Sequence, residues 1–447
     1  MRLLNASQIE RFIYYLILLL LPTQFGKHFW PPFSYVFGLR IDYLSPTLYA
    51  TDMLVGLLFS YCLYRLFLRQ RTSMKAFFFE KNAFLVSFFF FLIGVMTGIL
   101  LSKSPIAGWY GFLKLFEFLF FGLYTAYFFK KETKKKLAVV AVFFTIGIFY
   151  ESFLAVVQFF HHGSIGGVWY FLGERSFNSQ TPGIANASID GTLVLRPYGT
   201  LPHPNVLAGY LLLAMGFLAE VFDTQRLPFQ KVALVAALTS GTLALFITLS
   251  RAAILLWFLY GLFIVVHWLW QAQRKKKQKA RLVVFVLLLG IMVLITTTPL
   301  RSRITSLSLT DEAVVVRKDL LITALQMTLD HPFFGVGLNN FLINLVLYQR
   351  ESTRVSTLQP VHNIFFLVAS QTGIVGLFFF LWFLQKLLTT AFKAGRASLL
   401  LSVVVLGLFD HYFLTLQQGQ LLFSFVLGFC CSASLSLPNE KTDKMVQ

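Results

Sequence analysis

Acidic residues are scarce in this chain, and cysteine is scarcer. Only 19 Asp and Glu stand against 38 Lys and Arg, and charged residues of both signs make up just 13% of the 447. That is too little charge to clothe the surface of a water-soluble domain. The three cysteines, Cys62, Cys430 and Cys431, all fall in apolar runs, which excludes a disulfide framework. No His–carboxylate cluster has metal-ligand spacing, and the loops between apolar runs lack an Asp-x-Asp pair, so neither a metal nor another cofactor is expected. No internal repeat stands out, which argues against the inverted-repeat plan of many transporters. No small-residue cleavage site follows the first apolar run. Pro22 and aromatics come there instead, so that run is expected to stay as a helix.

What the chain has in abundance is apolar surface. Hydrophobic residues make up 57%, Phe alone numbers 52, and the mean hydropathy is +0.71. Repeated apolar runs near twenty residues long predict an all-α membrane protein, a polytopic bundle of about twelve transmembrane helices. They fall near 12–25, 42–68, 84–101, 109–129, 137–160, 201–222, 231–249, 252–270, 281–299, 361–384, 398–416 and 418–436, in one membrane domain spanning 1–447. The first is short and is expected to extend toward Trp30.

The net charge of +19 invites a nucleic-acid reading, but its distribution argues against one. Basic residues cluster in short loops, at Arg65 to Lys81, Lys130 to Lys136, Arg274 to Arg281 and Lys386 to Arg396. With both termini cytoplasmic, all four fall on the cytoplasmic side, as the positive-inside rule requires. Membrane topology thus accounts for most of the surplus, and the expected surroundings are membrane lipids rather than nucleic acid.

Two long loops then lie on the outer side, about 161–200 and 300–360. The first is rich in Gly, Ser and Asn and is expected to be irregular and packed on the second. In the second, Ala313 to Leu329 alternates apolar and polar residues at helical spacing, predicting an amphipathic helix at the interface that ends at His331-Pro332. Pro332, Gly335 and Gly337 predict a turn before a short helix from about Asn339. Arg317 falls in the first turns of the amphipathic helix. Titratable groups inside apolar spans are costly and mark functional sites by default. Here they are Asp52, Lys114, Glu117, Glu151, Glu220, Arg251, Asp410 and His411, all but Glu220 in the outer half or at the outer end of a span. Lys114 and Glu117, three apart, can pair on one helix face. The set points to a polar cavity open to the outside.

Three segments carry a resemblance. Arg196-Pro-Tyr-Gly-Thr-Leu-Pro-His-Pro-Asn205-Val-Leu-Ala208 opens the sixth span. Leu249-Ser250-Arg251-Ala252-Ala253 joins the seventh and eighth. His331-Pro-Phe-Phe-Gly335-Val-Gly337 with Asn340-Phe341 precedes His362-Asn363, followed by nine residues, Gly373, two residues and Gly376. Together they resemble the O-antigen ligase superfamily of bacterial membrane glycosyltransferases, which includes O-antigen ligases, Wzy-type polysaccharide polymerases and O-linked protein oligosaccharyltransferases. The resemblance implies a GT-C-type helical fold and transfer of a glycan from an undecaprenyl-diphosphate-linked donor. The acceptor is a glycan, lipid or protein on the outer face of the inner membrane, and no metal takes part. It assigns His362, Arg251 and Arg317 to catalysis. Arg196 matches the basic position before the Gly-Thr element, and the substrate-binding candidates are Arg196, Asn205, Asn363 and Lys114.

Residue chemistry agrees with this from its own side. Arginine is permanently charged and grips phosphate oxygens in bidentate fashion. Arginines at the membrane boundary can hold a diphosphate whose lipid tail stays in the bilayer and stabilise the charge on the leaving group. A histidine suits the task of taking the acceptor hydroxyl proton near neutral pH, and a single displacement inverts the anomeric centre. Several of these residues also have plain structural uses. A histidine at a helix start is often a cap, Asn205 could cap the helix after Pro204, and Gly373 and Gly376 are packing glycines before they are anything else. A polymerase has the same needs as a ligase. A lipid-linked-glycan flippase is the alternative outside enzymes, disfavoured because the polar residues gather at one face.

Overall fold

The structure is a computed structural model and describes residues 6–68, 83–130, 134–189, 192–222, 227–271, 312–349 and 358–432. The described residues are mainly helical. The helices that carry the bundle are α1 (Ala6–Leu20), α2 (Ala50–Leu68), α3 (Ala83–Leu100), α4 (Pro105–Lys130), α5 (Lys134–His161), α7 (Pro204–Val221), α8 (Pro228–Ile247), α9 (Arg251–Gln271), α12 (Ile364–Lys393), α13 (Ala397–Gly407) and α15 (Gln417–Cys431). Five of them, α4, α5, α7, α8 and α12, are long and apolar enough to cross a membrane. A backbone in hydrocarbon must satisfy its own polar groups, so uninterrupted apolar sequence becomes helix. Three of those five begin at proline, which lacks only an N–H that the first turn leaves unpaired anyway.

One continuous apolar core runs from Tyr14 in α1 to Cys431 in α15. Large apolar side chains such as Phe12, Leu57, Phe89, Leu113, Phe153 and Phe378 point outward instead. This is the arrangement expected of a multi-pass membrane protein, whose lipid-facing surface has no reason to be polar. The expected span at 281–299 lies outside the described residues, as do Arg301 and Arg303.

Three expected spans are shorter or broken. The run at 42–68 becomes helix only from Ala50, and the first helix stops at Leu20 rather than continuing to Trp30. Between them the chain folds into two small antiparallel pairs, β1 (Gly26–His28) with β4 (Thr47–Tyr49) and β2 (Tyr35–Val36) with β3 (Leu39–Arg40). Pro31, Pro32 and Pro46 remove the N–H groups a helix would need there. The run at 398–416 is interrupted. Helix α13 ends at Gly407, and Asp410 and His411 form a turn in which the Asp410 carboxylate accepts the His411 N–H at 2.8 Å. Helix α14 (Tyr412–Thr415) follows.

The described part of the 300–360 loop carries helices where the spacing predicts them. The amphipathic segment is α10 (Glu312–Asp330), and its turn leads to α11 (Phe341–Tyr348). Val316, Leu320, Ala324 and Met327 form its buried stripe, packed with Val36, Ile41 and Leu44 of the first strand pairs and with Phe341. The apolar face is therefore covered by protein. The loop at 161–200 is less irregular than its composition suggests. It carries the short helix α6 (Val168–Phe171) and a hairpin of β5 (Asn186–Ile189) and β6 (Thr192–Leu195).

The Gly-x-x-Gly element breaks α12. Gly373 has φ 66° and ψ −171° inside the helix, a backbone conformation that side chains disfavour. The break releases backbone groups, which the His-Pro-Phe-Phe-Gly-Val-Gly loop takes up. Val336 and Gly337 donate to the Ser370 and Gln371 carbonyls at 2.9 and 3.0 Å, and Ile374 donates to Pro332 at 2.7 Å. A side chain at Gly373 would meet the backbone of Phe333. Gly373→Ala should therefore cost about 1–3 kcal/mol from conformation alone, and more where the loop is pushed away. Thermal unfolding in detergent checks this: an unchanged midpoint would show that the stitched loop bears no load.

Candidate active site

The first element to place is Arg-Pro-Tyr-Gly-Thr, residues 196–200. Two buried polar side chains of α5 hold its backbone. Gln158 Oε1 accepts the N–H groups of Tyr198 and Gly199 at 2.9 and 2.8 Å, and Glu151 accepts the Thr200 N–H at 2.9 Å. Gly199 has φ 60° and lies against the Glu151 carboxylate, which explains a glycine at this position. Arg196, thus anchored, lies almost wholly buried. Its Nε donates to the Thr248 carbonyl at 2.7 Å and its Nη2 to Asn205 Oδ1 at 2.7 Å.

Asn205 does not cap α7 as its position suggested. His203 is the cap, its Nδ1 accepting the Asn205 N–H at 3.1 Å. A ring nitrogen two residues upstream reaches that donor, leaving the Asn205 amide to bridge. Its Nδ2 donates to Asp410 Oδ2 at 2.8 Å. Asp410 Oδ1 in turn lies 3.5 Å from His362 Nδ1. That nitrogen is buried and has no hydrogen-bond partner, so the pair is placed for a bond that a small closing motion would make. A continuous polar chain therefore runs Arg196, Asn205, Asp410, His362.

His362 stands in the turn before α12. Asn363 fixes that turn, its Oδ1 accepting the N–H groups of Phe365 and Phe366 and its Nδ2 donating to the Leu408 carbonyl at 3.1 Å. Both ends of the Asn363 amide are engaged, so its role here is to hold the histidine and to tie α12 to the turn carrying Asp410. The His411 ring lies 5.1 Å from that of His362 and 5.4 Å from that of Tyr43, with its Nδ1 2.7 Å from the Thr415 hydroxyl. Asp410 lies in the turn past the end of α13.

The arginines approach from two sides. Arg251 opens α9 just after Leu249, whose φ of 54° makes the tight turn, and the Thr248 carbonyl in that turn receives Arg196. The Arg251 Nε is buried without a hydrogen-bond partner, an unmet donor of the kind an anionic ligand would satisfy. Arg317 lies on the exposed face of α10. Lys114 belongs to a different cluster. It pairs with Asp52 at 2.5 Å and with Glu117 at 3.3 Å, the expected helix-face pair, and donates to Gln417 at 3.2 Å.

Folding also creates a possible cation site that sequence spacing did not show. His362, Asp410 and His411 each offer a ligand atom within 4.8 Å of the others. The premise that no His–carboxylate cluster exists is thus corrected, because residues 362 and 410 meet only through the broken span. The donor set is partly committed, however, since both Asp410 oxygens accept N–H groups and the His411 Nδ1 faces Thr415.

Sequence reasoning named His362, Arg196 and Asn205 and left Asp410 and His411 as unassigned intramembrane groups. Their signal was an acid–histidine pair within an apolar run. Thr248 and Thr415 carried no signal, since their roles arise from tertiary contact alone.

These features define a multi-pass, helix-rich membrane protein whose apolar bundle holds a His–Asp pair linked through Asn205 to a buried arginine. Residues 233–381 match the family model of O-antigen ligase, and this supports the O-antigen ligase superfamily for the chain. The matched segment contains Arg251, Arg317 and His362, while Arg196, Asn205 and Asp410 lie outside it. No curated protein matches the sequence.

Asn205 is the testable joint of this chain. Asn205→Ala leaves an Arg196 donor and an Asp410 acceptor unpaired in a buried setting, which should cost about 1–3 kcal/mol. A thermal midpoint equal to that of the unaltered protein would show that the bridge contributes nothing.

Proposed function

We propose that this protein is a glycosyltransferase of the bacterial inner membrane. It moves a glycan from an undecaprenyl-diphosphate-linked donor to an acceptor hydroxyl on the extracytoplasmic face, both termini being cytoplasmic and the architecture GT-C-type. The observation that carries this reading is the His362–Asp410 pair, with His362 and the unmet donor of Arg251 both inside the segment that matches O-antigen ligase.

In this reading Asp410 holds the Nδ1–H of His362, which leaves Nε2 as the lone-pair nitrogen that takes the acceptor proton. As the acceptor oxygen bonds to the anomeric carbon, the bond from that carbon to the diphosphate oxygen breaks, and the configuration inverts. The electron pair leaves on undecaprenyl diphosphate, where Arg251 and Arg317 balance the added charge. Diphosphate is a good leaving group and needs no acid. Asp410 then stabilises the imidazolium form of His362, and Arg196 and Asn205 keep Asp410 in place. The reaction runs without a metal, the arginines standing where a divalent cation would otherwise serve.

His362→Ala should reduce glycan transfer by about a hundredfold to ten-thousandfold while the purified protein still retains lipid-linked donor, and Asp410→Asn should lower transfer in the same direction. Transfer within a few-fold of the unaltered enzyme at equal expression would remove the histidine from this role. Treatment of the purified enzyme with EDTA should leave transfer intact. Loss on chelation and recovery with a divalent metal would instead make His362, Asp410 and His411 a metal centre.

A further inference from the structure

Next to the histidine cluster, and separate from its arginines, a cavity of about 760 Å³ runs between α4, α12 and α15. None of Arg196, Arg251, Arg317 and His362 lines it. On α4 its lining begins at Tyr110 and ends at Ala126, one face of the helix over about 24 Å. That is most of the roughly 30 Å thickness of a bilayer core.

The polarity of this wall is sorted along its length, and the three helices agree on the direction. On α4, Lys114 gives way to Leu123 and Ala126. On α12, Gln371 and Thr372 give way to Phe383 and Leu387. On α15, Gln417 and Gln420 give way to Leu427 and Cys431. The helices run alongside one another, with Lys114 bonded to Gln417 and Gly122 packed on Ser424 and Gly428. All the polar ends therefore gather in one place. A slot of this shape fits an amphiphile with a long apolar chain.

The charges at the polar end decide which headgroup it takes. Lys114 lies between Asp52 and Glu117, whose Oε1 is buried without a partner. Arg175 pairs with Asp42 at 3.8 Å. The Glu174 carboxylate accepts Gln158 and the N–H groups of Ile165 and Gly166. Each of these cations is already matched. A diphosphate placed here would be desolvated with no free cation to meet its charge. The uncharged polar groups of the wall include the amides and phenols of Asn339, Gln371, Gln420, Tyr49 and Tyr110, which suit hydroxyl groups. The mouth also reaches Tyr43 and Thr415, the two residues that touch His411.

We infer that this cavity is a second lipid site, which binds an amphiphile with one long apolar chain and an uncharged, hydroxyl-bearing headgroup. It keeps that molecule apart from the diphosphate-linked donor held by the arginines. Its use as the seat of a lipid-linked acceptor rests on the proposed transferase reading; the binding does not.

The test uses the full chain in nanodiscs of phosphatidylethanolamine and phosphatidylglycerol. Two photoactivatable probes share one hexadecyl chain with the reactive group near its tip, one carrying a β-glucoside head and the other a phosphate. The glucoside should label peptides around Ala126, Phe383 and Leu427, should be displaced by unlabelled hexadecyl glucoside, and should exceed the phosphate by about tenfold or more. Leu123→Trp and Leu427→Trp, each filling the apolar end, should lower that labelling several-fold. Labelling scattered over the lipid-facing surface, or equal labelling by the phosphate, overturns the site. With donor supplied, the bound glucoside should gain glycan. An enzyme that glycosylates other acceptors but never this bound probe overturns the acceptor role and leaves the binding result standing, whereas a protein with no transfer at all but intact labelling fails the transferase reading alone.

Discussion

The Asp410 carboxylate is the group on which the rest of the site depends. A buried anion in an apolar bundle is sustained only by donors and positive charge around it. Here Asn205 and the His411 N–H supply the donors, and His362 faces the remaining side. Leaving a buried charge short of one such donor costs about 1–3 kcal/mol, so the four segments that meet at Asp410 are bound to one another. These are the loop of Arg196, the start of α7, the turn before α12 and the break between α13 and α14. The break itself follows from the same constraint, because an unbroken helix would give the His411 N–H to the Gly407 carbonyl and take it from the Asp410 carboxylate.

Helix interruptions recur wherever chemistry is placed in this bundle. The Gly373 break lets the 332–337 loop exchange backbone bonds with α12, which fixes the end of that helix from which His362 extends. The positive φ of Leu249 turns the chain so that Thr248 presents its carbonyl to Arg196 while Arg251 starts the next helix. In hydrocarbon, irregular backbone is tolerated only where protein supplies partners. Each break is accordingly paired with another segment.

Much of this was legible in the sequence, and the reasons differ by element. Among the described residues five of the expected spans followed from apolar run length, and α10 followed from its spacing of Val316, Leu320, Ala324 and Met327, closed by Pro332. The segment at 26–49 was misread because Tyr43, Leu44 and Leu48 extend the apolar run of α2. Hydropathy does not register that prolines before them forbid a helix. His362 and Arg251 were visible as charged groups at span ends. Their partners were not, because Asn205 and Asp410 lie 205 residues apart and meet only when α7 and α13 pack. The cation-capable trio was hidden for the same reason: ligand spacing in sequence is informative only when the ligands share one element.

The two buried polar clusters in this fold are closed in different ways. From His362 the chain runs through Asp410 and Asn205 to Arg196, and Arg251 keeps a buried Nε donor without a partner. At Lys114 the cation is taken up by Asp52, Glu117 and Gln417, so no free positive charge is left there for an anion. Both clusters are buried, where Coulomb interactions are far less screened than at a water-exposed surface. Two long-chain lipids in one membrane cannot be told apart by their chains, which are alike in chemistry. Any discrimination between them has to come from the heads, and a bundle that offers an unmet donor in one place and a spent cation in the other supplies a physical basis for it.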